Sequence, residues 1–184
     1  MQQALVLASI VLGVAITFEL EHLNRVLRSK AVKWHWAQPV FALFVLLTIV
    51  SYWWGAAKNP QGTITLGEFL PVMFQLVMLA LLAAASFPDK VPDDGLDLAE
   101  YYQENRRYQW LLMTLFFWSV SLRWMWGLWN RGLSLPDFLS AISGDVIAGF
   151  VIVAMIFARR WWQVGLGFAL LSMAPIIWVT RTLG

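Results

Sequence analysis

Six runs of mostly apolar residues, separated by short polar segments, divide the chain. They extend from Ala4 to Leu20, Gln38 to Gly55, Leu66 to Phe87, Trp110 to Trp129, Leu139 to Ala158 and Trp162 to Val179. Each is close to the roughly 20 residues a helix needs to cross a hydrocarbon core about 30 Å thick. The pattern predicts an all-α integral membrane protein: a six-transmembrane-helix bundle forming one membrane domain over residues 1–184. No positive charge precedes the first run, and its basic cluster follows it, so it reads as a retained helix rather than a signal peptide.

Lysine and arginine collect in alternate loops. Arg25, Arg28, Lys30 and Lys33 fall in the first, Lys90, Arg106 and Arg107 in the third, and Arg159 and Arg160 in the fifth. The other side holds only Lys58, Arg131 and Arg181. This asymmetry puts loops one, three and five in the cytoplasm and both termini on the periplasmic or outer side. Indole rings favour headgroup depth, and the tryptophans agree with this orientation. Trp34, Trp36, Trp110, Trp161 and Trp162 fall at the expected cytoplasmic ends; Trp53, Trp54, Trp124, Trp126, Trp129 and Trp178 fall at the outer ends. Only Trp118 is expected mid-span.

Composition narrows the function classes. The chain is 60% hydrophobic and 13% charged, too apolar for a soluble domain to cover. A net charge of +2 is too small for a nucleic-acid surface, and the absence of cysteine excludes disulfides, thiolate metal sites and a thiol nucleophile. The location expected is a bacterial inner (plasma) membrane, with the lipid bilayer as the principal partner and no nucleic acid.

The longest soluble segment is the cytoplasmic loop 88–108, which carries Asp89, Asp93, Asp94, Asp97, Glu100 and Glu104. The spacing Asp97-Leu-Ala-Glu100 is that of a capping box, which predicts a helix starting there and running into the fourth span.

Ionisable groups at membrane depth are costly and are functional candidates. Arg123 and Asp145 each lie about six residues from the outer end of neighbouring spans, roughly 9 Å deep at 1.5 Å per residue. They suit an ion pair, which Glu68 at the outer start of the third span is placed to join. The small residues Ser140, Gly144 and Ala148 beside Asp145, and Ser119 and Gly127 beside Arg123, predict close helix approach. One reading is a self-neutralising structural clamp; the other is a site for an ion or polar solute.

A second polar cluster, Glu19, Glu21, His22 and Arg25, closes the first span at its cytoplasmic end. Glu21 and Arg25 have favourable i,i+4 spacing. Ser9, Gly13 and Thr17 predict the packing face of that helix. Glu19 to His22 matches Glu-x-x-His but in a single copy, whereas di-iron bundles use two. His22 and His35 lie on the same side, where interfacial hydrogen bonding to headgroups is the expected role. No metal or cofactor is expected, and no catalytic motif is present.

Two functions fit. The first is a small ion channel or secondary transporter, acting as a homo-oligomer with its polar site near Arg123 and Asp145. The second is a non-catalytic membrane subunit or scaffold that docks a membrane or cytoplasmic protein through loop 88–108.

Overall fold

The computed structural model describes residues 2–57, 66–92 and 95–173. Six helices follow the six apolar runs: α1 (Gln2–Arg28), α2 (Ala37–Ala57), α3 (Leu66–Ala85), α4 (Leu98–Trp129), α5 (Leu135–Met155) and α6 (Trp161–Leu171). Among the described residues, four helical segments are long and apolar enough to cross a membrane: Val6–Arg28, Ala37–Ala56, Leu98–Trp129 and Leu135–Met155. Phe69–Ala85 and Trp161–Leu171 are shorter apolar helices. The last residues expected in the sixth span, 174–179, lie outside the described residues, as does Lys58 of the second loop.

The helix ends differ from the apolar boundaries because polar side chains extend them. α1 continues to Arg28 through the Arg25–Glu21 pair, in which Arg25 Nη2 donates to Glu21 Oε1 at 2.9 Å. α4 begins at Leu98 with Asp97 as its N-cap, as the Asp97–Glu100 spacing predicts; Asp97 Oδ1 accepts from the Ala99 and Glu100 amides. α5 begins at Leu135, capped by Ser134 and helped by Pro136 in its first turn.

α1 packs chiefly on α3, α3 on α4, α4 on α5 and α5 on α6, while α2 lies against α1, α3 and α4 and touches α6. Trp110 is fully buried in the core, with Phe41 5.4 Å and Phe168 5.6 Å away by ring centroid, and its Nε1 donates to the Tyr102 hydroxyl at 3.0 Å. It is therefore a core residue linking α2, α4 and α6. The outer flanks of the bundle expose Ile10, Leu43, Val77, Leu115, Ile147, Phe150 and Leu166. Apolar exposure on this scale is consistent with contact to a lipid bilayer. These are the features of a helical membrane protein.

The connections α1–α2, α3–α4 and α5–α6 meet at one end, here the basic end. There β1 (Val32–Lys33) pairs in parallel with β2 (Leu96–Asp97), tying the first connection to the start of α4. Lys33 Nζ lies 3.0 Å from Asp97 Oδ2. That hydrogen bond, followed by the Ala99 amide, holds the Asp97 carboxyl below the usual carboxylate range. Gly95 makes the approach to β2 possible: it has φ 104°, and a Cβ there would stand 3.0 Å from the Ala31 carbonyl oxygen.

Candidate functional site

The buried face of α1 is Ala8, Leu12, Ala15, Glu19, His22 and Val26, spaced alternately by four and three residues. Ser9, Gly13 and Thr17, expected to pack, are instead exposed. A Cβ on Gly13 would meet nothing within 4 Å. Ala8 and Ala15 supply the close approach, and Gly13 and Thr17 are turned outward, while the exposed Ser9 still meets α2, its Oγ accepting from Trp53 Nε1 at 3.1 Å. Two polar residues nevertheless continue the buried face: Glu19, 3% exposed, and His22, 8% exposed.

Glu19 faces the end of α3. The last carbonyls of a helix lack intrahelical donors, and α3 has no glycine there to terminate it. Side chains from two neighbouring helices cap it instead. Gln109 Nε2 of α4 donates to the Ala85 carbonyl at 2.8 Å, and the Tyr101 hydroxyl donates to the same oxygen at 3.4 Å. Gln38 Nε2 of α2 donates to the Ser86 carbonyl. Ser86 Oγ donates back to the Leu82 carbonyl at 3.0 Å and lies within hydrogen-bond reach of the Glu19 carboxyl.

This arrangement buries acceptor oxygens. Both carboxamides turn their donors to α3, leaving Gln38 Oε1 and Gln109 Oε1 buried without a hydrogen-bond donor among the described residues, as is Glu19 Oε2. The α3 C-terminus adds the negative end of its dipole. Three ion pairs occur among the described residues: His22–Asp89 at 3.5 Å, Arg25–Glu21 at 2.9 Å and Lys33–Asp97 at 3.0 Å. None reaches Glu19.

Of the sequence-predicted cluster, Glu19 and His22 come together at this interface, whereas Glu21 and Arg25 are exposed and pair with each other. The histidines have separate surroundings. His22 faces Asp89, while His35 packs against Trp161 with ring centroids 4.1 Å apart. No group of three or more histidine, aspartate or glutamate side chains suited to a metal occurs among the described residues.

At the opposite end, Trp118 of α4 lies over Gly149 of α5. The antiparallel register of that contact brings Arg123 and Asp145 to one level, about a turn nearer the α4–α5 connection. Arg123 is exposed and Asp145 half-buried. The Arg123 charge also acts on the Tyr52 phenol of α2, whose hydroxyl donates to Gln75 Oε1 of α3 at 2.9 Å. Glu68 belongs to the first turn of α3, and its side chain lies outside the described residues. Of the ridge expected to seat α5 on α4, Ala148 packs against the core, whereas Ser140 and Gly144 are exposed, and a Cβ on Gly144 or Gly127 would meet nothing within 4 Å.

Sequence reasoning missed Gln38, Ser86, Gln109 and Tyr52 as site residues. The available signal was a polar residue at the same end of three successive apolar runs, namely Gln38, Ser86 and Gln109. No protein-family model, curated protein or solved structure matches the chain.

Proposed function

We propose that this chain is a small secondary transporter or channel for a proton or monovalent cation, working as a homo-oligomer in a bacterial inner membrane. In this reading six spans cross the bilayer, both termini face outward, and the basic end faces the cytoplasm. The observation that carries it is Glu19: a carboxyl within a membrane-length helix, 3% exposed, among unpaired amide oxygens and with no cationic partner among the described residues. A translocated proton or cation supplies the missing charge.

Further polar groups continue from Glu19 across the bundle. Buried Thr48 and Gln75 and the Tyr52 hydroxyl lead towards Arg123 and Asp145 at the other end, where Glu68 is a further candidate. The exposed Ser140 and Gly144 ridge supports the oligomer, because small faces let membrane helices approach. The rival reading, partner docking through 88–108, draws less support: Asp89, Asp97 and Tyr101 of that segment already bond to the chain's own His22, Lys33 and Ala85.

The test is flux in proteoliposomes under imposed proton, Na⁺ and K⁺ gradients. Wild-type protein is expected to carry at least one of these ions, with altered rate or selectivity in Asp145→Asn. Absence of flux for all three, from inserted and folded protein, would overturn the transport reading.

A further inference from the structure

Arg106 is the one arginine among the described residues with almost no exposure, 4%. It is held rigidly. Its Nε donates to the Ile156 carbonyl at the end of α5 at 3.1 Å, and its Nη1 donates to Gln103 Oε1. Gln103 in turn donates from Nε2 to the Arg159 carbonyl at 3.1 Å, so α4 and the α5–α6 connection are clamped around the guanidinium. Nη2 makes no hydrogen bond among the described residues.

Arg106 forms part of the wall of an open pocket of about 370 Å³, together with Gln103, Glu104, Arg107 and Arg159. The like charges of Arg107 and Arg159 stand close enough to repel Arg106. Glu104 is the sole carboxylate in the wall, and none of the three arginines belongs to an ion pair among the described residues. Three cations with one unengaged carboxylate leave an open, net positive pocket with room for a tetrahedral oxyanion and the substituent it carries.

The surroundings favour a particular source of that anion. The pocket lies at the basic end, where exposed Tyr108 and Leu111 of α4, Phe157 and Trp162 begin the apolar flank of the bundle. A phosphate seated there is a few residues along the chain from these exposed apolar side chains, and basic pockets between membrane helices bind anionic headgroups. We infer that Arg106, Arg107 and Arg159 form a binding site for a phosphate group, with an anionic phospholipid headgroup as its source. Arg106 is the buried base of the site, Gln103 its positioning residue, and Arg107 and Arg159 its exposed arms. This site is separate from Glu19 and does not depend on transport.

The test uses the full chain purified in detergent, with binding of phosphatidylglycerol, phosphatidylcholine and inorganic phosphate measured by native mass spectrometry and thermal stabilisation. Wild-type protein is expected to retain and be stabilised by phosphatidylglycerol over phosphatidylcholine. The exposed-arm variant Arg107→Gln/Arg159→Gln, which leaves the buried Arg106 clamp intact, should bind it about 30-fold more weakly, roughly fivefold for each of the two surface cations removed. Arg25→Gln/Arg28→Gln, which removes two cations elsewhere at the same end, should bind as wild type. Stabilisation by inorganic phosphate without lipid, lost in the Arg107/Arg159 variant, would keep the site and assign it to soluble phosphates. Equal binding of the two lipids with no phosphate effect, or equal losses in both double variants, would overturn the proposal.

Discussion

Gly149→Ala is a sharp test of the helix contact that aligns Arg123 with Asp145. A Cβ at position 149 would stand 2.5 Å from Cζ2, 2.9 Å from Cε2 and 3.1 Å from Cη2 of Trp118. Carbon atoms settle at about 3.5–4.0 Å, so the shortest approach is deficient by about 1 Å. The obstacle is a rigid indole, itself flanked by Phe117 and Phe150 with ring centroids 6.1 and 6.5 Å away. The ring must leave its rotamer or α4 and α5 must separate. Overpacking of this kind costs about 1–3 kcal/mol. For a chain of this length that lowers the melting temperature by roughly 2–12 °C. The assay is thermal unfolding in detergent, with Gly144→Ala and Gly127→Ala as controls. Their new methyl groups meet nothing within 4 Å, and replacing helical glycine by alanine is favourable by roughly 0.5–1 kcal/mol. Gly149→Ala should therefore fall below wild type while both controls match or exceed it, and a smaller side chain at Trp118 should restore the loss. Equal stability of Gly149→Ala and Gly144→Ala would refute the contact.

Gln109→Met should destabilise the bundle by about 1–2 kcal/mol, because the Ala85 carbonyl keeps only the 3.4 Å bond from Tyr101; unchanged unfolding would deny Gln109 its capping role. Asp97 has a folded-state pKa below its unfolded value. Its stabilisation of the α4 start is thus complete above the ordinary carboxylate range and is lost as pH falls through the lower folded value. Amide protection at residues 98–102, relative to the intrinsic exchange rate at each pH, should fall on acidification, and in Asp97→Ala it should already be low at neutral pH; identical protection in both proteins across the range would contradict this. Asp145→Ala is expected to lower the melting temperature, with Arg123→Ala/Asp145→Ala milder than either single change. Additive losses in the double variant would mean that the two side chains do not act together.

Helix number and order are legible in the apolar runs because membrane crossing imposes length and composition together. The facing of each helix is much less legible. Along α1, serine, glycine and threonine at four-residue spacing look like a packing face. Burial instead follows Ala8, Leu12 and Ala15, since alanine allows close helix approach, and of the three small polar positions only Ser9 reaches a neighbouring helix, through Trp53. Trp110 illustrates the same difficulty: its position at a span end does not reveal that Phe41 and Phe168 pack against it and that Tyr102 accepts from its N–H.

The polar site at the basic end was half visible. Glu19 and His22 stand out as charged or titratable residues ending a span. Gln38 and Gln109 do not, because their significance arises only when α2 and α4 bring them to the open carbonyls of α3. The two-residue pairing of β1 with β2 is too short to leave any periodic signature, yet it ties the first connection to the residues just before α4.

The central claim is that the Glu19 carboxyl takes up the charge that crosses the membrane. The direct measurement is charge movement in proteoliposomes comparing wild type, Glu19→Gln and Glu19→Asp, each first shown to be folded by its melting temperature. The account predicts current in wild type, none in the near-isosteric Glu19→Gln, and reduced current in Glu19→Asp. Wild-type current that Glu19→Gln carries undiminished would contradict it.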